Sequence, residues 1–140
     1  MNYSKIVDFD LAVLLDDRVE PKDYSRYAVT ECTKIHGDIS EYFKSGDLIT
    51  GDIDYIYGKD VYAPTYAEVI DWLHDNGFIV ELNPAFTFST KDHLAYFFNL
   101  YEINNDEARL YLIYNDPNWM GSFENCVKDI VKWLIQNELI

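Results

Sequence analysis

The stretch Ala63-Pro64-Thr65-Tyr66-Ala67-Glu68-Val69-Ile70-Asp71-Trp72-Leu73-His74-Asp75-Asn76-Gly77 leaves this chain the least freedom. Pro64 interrupts the segment before it, and Thr65 with Glu68 has the spacing of a capping box, in which each side chain bonds the other's backbone N–H. Tyr66, Val69, Ile70 and Leu73 recur at i, i+3, i+4 and i+7, and Gly77 supplies the stop. The spacing predicts a helix over Thr65–Asn76. Phe78 to Leu82 follows at once, a short apolar run bounded by Gly77 and Pro84, which reads as a strand.

The remaining elements carry weaker signals. A first helix is expected over Asp8–Arg18, with Leu11, Leu14 and Leu15 on one side and Asp8 or Asp10 as N-cap. A last helix is expected from Ser122 to about Glu138, its stripe formed by Phe123, Cys126, Val127, Ile130, Val131, Leu134 and Ile135. Leu94–Ile103 and Ala108–Tyr114 form a candidate hairpin turned by Asn104, Asn105 and Asp106. Tyr24–Thr33 and Leu48–Tyr57 are rich in tyrosine and β-branched residues and are expected as two further strands. The resulting order, α-β-β-α-β-β-β-α, implies an α+β fold with helices on one face of a mainly antiparallel sheet. At 140 residues this is one expected domain over 1–140, with 61–140 an α-β-β-β-α half and 1–60 a helix plus strand pair.

Charge narrows the partners. The net charge is −14, from 25 acidic and 11 basic side chains, and the excess lies in both halves. Nucleic-acid binding needs cations that displace counterions from phosphates, so direct RNA or DNA binding is not expected, and anionic membranes are disfavoured likewise. That sign also rejects the double-stranded-RNA-binding reading suggested by the element order of residues 65–139. Such modules place lysines at the start of the last helix, where this chain has Ser122-Phe123-Glu124-Asn125. An apolar content of 49% with 16% aromatic residues excludes a disordered chain. No run approaches the ~20 apolar residues of a membrane span, and no secretion signal opens the sequence. With Cys32 and Cys126 alone, a disulfide framework is not expected and a cytoplasmic location is.

No constellation carries recognisable chemistry. Asp8-Phe9-Asp10 superficially resembles a phosphatase aspartate motif, but Leu11-Ala12 follows where Gly and Thr belong, and helix capping explains Asp8. Asp52-Ile53-Asp54, with Asp47 and Asp60, lacks the register of a calcium loop and suits a half-exposed strand. His36, His74 and His93 form no HxxxH or HxH pair, so no metal site and no cofactor is expected. The glycines sit singly, without a phosphate loop. Trp72 and Trp133 lie on helix flanks. Trp119, in the loop Asn115–Gly121, is the candidate interface tryptophan, with plain packing the favoured alternative.

Two stretches do resemble a known group. Tyr3 to Leu15 (YSKIVDFDLAVLL) and Ala63 to Leu73 (APTYAEVIDWL) are similar to small proteins encoded by gut Bacteroides and their phages, as is the amphipathic last helix closing on Leu139-Ile140. The resemblance runs nearly end to end and is loosest from Arg18 to Asp60. It implies a phage, prophage or mobile-element setting and transfers no active site.

The expected function is therefore a non-enzymatic, macromolecule-binding accessory protein whose protein partner has a basic surface. Its sharpest form is an acidic DNA mimic that inhibits a host-defence or nucleic-acid-processing protein. Mimicry has a quantitative demand. Spread over ~7,500 Å² of surface, the net charge averages about one per 540 Å², against about one per 100 Å² on duplex DNA. The acids would have to gather on one face, for which Asp16, Asp17, Glu20, Asp47, Asp52 and Asp54 are the candidates. The alternatives are a small enzyme whose site converges from distant segments and a homo-oligomeric structural or assembly component.

Overall fold

The computed structural model describes residues 3–21, 27–36, 39–43, 48–49, 56–85, 89–91, 94–116 and 121–140. The fold is α+β. Its elements are α1 (Phe9–Leu14), β1 (Tyr27–His36), β2 (Ile39–Phe43), β3 (Leu48–Ile49), β4 (Ile56–Tyr62), α2 (Tyr66–Asp75), β5 (Phe78–Pro84), β6 (Tyr96–Asn104), β7 (Arg109–Asn115) and α3 (Phe123–Gln136). They group into two compact units, Asn2–Glu68 and Val69–Ile140, with the boundary falling inside α2.

In the first unit β1 is central and every described pairing is antiparallel. Tyr27 stands opposite both Ile49 of β3 and Tyr62 of β4, and Cys32 opposite both Phe43 of β2 and Gly58 of β4. A residue has only two in-sheet neighbours, so β2 and β3 share one edge of β1 and β4 takes the other. Two strands are expected here from sequence, and the described residues form four. The run expected over Leu48–Tyr57 contains β3 and the start of β4, and β4 extends through Gly58, Lys59 and Asp60, residue types with little preference for strands. Long-range pairing with β1 overrides that local preference.

The start of the chain is spent on helix caps. Asp8 Oδ1 accepts from Leu11 N at 2.9 Å and caps α1. The first amides of α2, which have no partner within the helix, are met from outside its body: Tyr66 N donates to the Lys5 carbonyl at 3.0 Å and Ala67 N to the Tyr3 carbonyl at 2.8 Å. Glu68 N donates to Thr65 Oγ1 at 3.3 Å, while Glu68 Oε2 accepts from Thr65 N at 3.0 Å, so the capping box forms as expected. Tyr62 OH adds a bond to the same carboxylate oxygen at 2.9 Å. Tyr3–Val7 and Pro64–Ala67 thus meet in space, through backbone bonds at the start of α2.

The second unit is an antiparallel meander, β5-β6-β7, with α3 laid on one face. Tyr96, Phe98 and Leu100 of β6 alternate onto that face and are buried, as are Phe123, Cys126, Val127, Ile130, Val131 and Leu134 of α3. Tyr114 of β7 fastens the helix to the sheet. Its ring stacks on Trp133 at 4.5 Å and lies 5.3 Å from Phe98, and its hydroxyl donates to Asp129 Oδ2 at 2.8 Å. Ser122 caps α3 by accepting from Asn125 N at 3.2 Å. Gly77, at φ +92°, ends α2 and turns the chain into β5.

Candidate interaction surface

The face of the β5-β6-β7 sheet turned away from α3 is built by the odd-numbered residues of β6. Strand register sets them in rows: Asn83 beside Phe97; Glu81, Asn99 and Asn115; Ile79, Tyr101 and Leu112; and Ile103 beside Leu110. A register shift between Leu100 and Tyr101 places one extra β7 residue, Ile113, in the ladder. Leu110 and Leu112 remain 50% and 52% exposed, and Phe97 36%. A half-buried sheet ordinarily keeps its large aliphatic side chains on the covered side. Here the open side carries them too.

A fixed anion sits among these residues. Glu81 Oε1 accepts from Asn99 Nδ2 at 2.7 Å, from Asn83 Nδ2 at 3.1 Å and from the Tyr101 hydroxyl at 3.4 Å, while Asn115 Nδ2 donates to Asn99 Oδ1 at 3.3 Å. The Asn99 amide foremost, then Asn83, holds the Glu81 carboxyl below the usual carboxylate range. A carboxylate so stabilised in its ionised form is a poor proton shuttle near neutral pH. It is well suited to receive a cation.

Two other titratable groups are held in their protonated forms. Burial, reinforced by Asp129, pushes the Cys126 thiol up to about 12, and its sulfur faces the Tyr96 carbonyl at 3.6 Å. At neutral pH such a thiol is not a nucleophile. Burial, then the hydrogen bond to Asp129, likewise raises Tyr114 to about 12. An open hollow of about 400 Å³ lies at the β6–β7 turn, lined by Glu102, Ile103, Asn104, Asn105, Asp106 and Tyr111. It pairs no nucleophile with a base. Among the described residues, no three His, Cys, Asp or Glu side chains converge as metal ligands, and no helix is long and apolar enough to cross a membrane.

Of the interface residues singled out from sequence, three fall among the described residues. Asp16, Asp17 and Glu20 lie just beyond α1, Asp16 half-buried, Asp17 and Glu20 exposed, with Asp17 at φ +61°. Asp47, Asp52, Asp54 and Trp119 lie outside the described residues, as does His93. Trp72 is half-buried, and Trp133 is the stacking partner of Tyr114. Sequence reasoning missed the open face. Its signal was present in Arg109-Leu110-Tyr111-Leu112-Ile113-Tyr114-Asn115, which lacks the apolar–polar alternation of a strand with one solvated side.

No family model, curated protein or solved structure matches the chain.

Proposed function

We propose that this is a non-enzymatic binding protein that docks a basic protein surface on the open face of its β5-β6-β7 sheet. The exposure of Leu110 and Leu112 carries the reading. Leu112, opposite Tyr101, and Leu110 share one sheet face with the hydrogen-bonded carboxylate of Glu81, a combination that offers apolar burial and a salt contact to one ligand surface. The net charge of −14 favours encounter with cationic partners and disfavours polyanions. The setting we propose is the cytoplasm of a gut Bacteroides host, with the chain an accessory protein of a phage or other mobile element.

Capture from extract of such a host tests this directly. Leu110→Ser/Leu112→Ser should abolish retention of the partner while leaving the melting temperature near that of the wild type, and added salt should weaken retention. The paired variant Asp17→Lys/Glu20→Lys separates this face from an acidic DNA-mimicking one. If that variant loses the partner and the leucine variant keeps it, the sheet face is not the docking site.

A further inference from the structure

We infer that the free edge of β7 pairs antiparallel with β7 of a second copy of this chain, about a two-fold axis at Tyr111. The direction of the backbone groups sets the register. In β6, Ile103 N donates to the Gly77 carbonyl, on the β5 side, whereas Tyr96 and Gly121 exchange both backbone bonds on the opposite side. Alternation along a strand then turns the even residues of β6 toward β7. Glu102 and Asn104 stand opposite Tyr111 and Arg109, so those two β7 residues spend their backbone groups on β6. Leu110 and Leu112 therefore direct N–H and C=O outward, and among the described residues β7 pairs with β6 alone.

A second copy satisfies these groups when Leu110 meets the partner's Leu112 and Leu112 meets the partner's Leu110. Both residues face outward along the edge, so each pair exchanges two backbone bonds, four in all. The same two residues share the open sheet face, so side-chain parity is kept and four leucines come together there. Tyr111 stands beside the partner's Tyr111 on the other face. Its own chain fixes it, with the Arg109 guanidinium 5.1 Å from its ring and its hydroxyl bonded to Glu107. No other register of this short edge matches both backbone direction and side-chain face across Leu110 and Leu112.

Charge fits this occupant as well. The strand Arg109–Asn115 holds one cation and no anion in a chain of net −14, so self-pairing brings no like charges directly opposite within Leu110–Leu112. The edge is shorter than the roughly 800 Å² per partner of a standard interface requires, which makes the association concentration-dependent. Overall repulsion between two acidic copies makes salt strengthen it. Binding of a basic partner responds to salt in the opposite sense, so this inference and the proposed function fail separately.

Sedimentation equilibrium of the full chain from about 1 µM to about 1 mM, with amide hydrogen exchange at both ends of that range, tests the pairing. The mass should rise from 16.4 kDa toward twice that value, faster at high salt. The Leu110 and Leu112 amides should exchange freely when dilute and gain protection when concentrated, while the Tyr111 amide is protected throughout. Leu112→Pro deletes one outward donor per copy, two of the four bonds, and should weaken association about thirtyfold without breaking the ladder to β6. A chain that stays monomeric overturns the inference. So does a dimer whose Leu110 and Leu112 amides remain unprotected, or one that a folded Leu112→Pro variant forms equally well.

Discussion

The two faces of the β5-β6-β7 sheet are made from the same three strands and differ in almost everything else. On one, Tyr96, Phe98 and Leu100 are buried under α3, and Tyr114 locks strand to helix by a stack and a hydrogen bond. On the other, Leu110 and Leu112 stand half in solvent on the same face as the Glu81 carboxylate, whose titration the Asn99 and Asn83 amides hold below the usual carboxylate range. The closed face buries the apolar surface that stabilises this sheet against α3. The open face leaves apolar surface half in solvent, where it contributes less. Hydrophobic content by itself does not separate the two; cover does.

Matched truncations give the widest contrast. Leu100→Ala, at a fully buried site, should cost about 3 kcal/mol or more in urea unfolding, and Leu112→Ala about 0.5 kcal/mol or less. Equal losses would erase the distinction. Alkaline pH should act through the closed face next. Cys126 and Tyr114 have folded-state values raised to about 12 from ordinary values of 9.0 and 10.0. Their stabilisation is complete below about pH 9 and is lost as pH rises toward 12, because the unfolded chain releases those protons first. Thermal melts from pH 8 to 12 should fall accordingly, and less steeply in Tyr114→Phe. Smaller effects belong to the termini of the helices. Gly77→Ala should cost about 1 kcal/mol or more, entirely from backbone conformation, since a Cβ there would meet no atom within 4 Å. Ser122→Ala should cost about 1 kcal/mol through the uncapped Asn125 amide.

Local signals were legible wherever the structure uses local chemistry. The Thr65–Glu68 box, the Gly77 stop, the Asp8 and Ser122 caps and the stripe of α3 are all set within a few residues, and each is found where the sequence places it. The upstream strands were harder. β1 finds β4 some thirty residues away, and the pairing absorbs Gly58, Lys59 and Asp60 that no propensity would assign to a strand. Two roles were invisible for a different reason. The Tyr3 and Lys5 carbonyls meet the first amides of α2, a task of the backbone that leaves no mark in side-chain pattern. Glu81 gains its environment from Asn99 and Tyr101, across the sheet and far along the chain. The interface expected around Trp119, Asp47, Asp52 and Asp54 falls outside the described residues, while Asp16, Asp17 and Glu20 lie within six residues of the end of α1.

Site-specific photo-cross-linking asks most directly whether the open face is a binding surface. A photoreactive residue in place of Leu112 should, in host extract, yield a discrete adduct with a protein of basic surface, at a level that salt reduces. The same group in place of Lys132, exposed on α3, should yield none above background. Equal labelling from both positions, or none from position 112, would contradict the account.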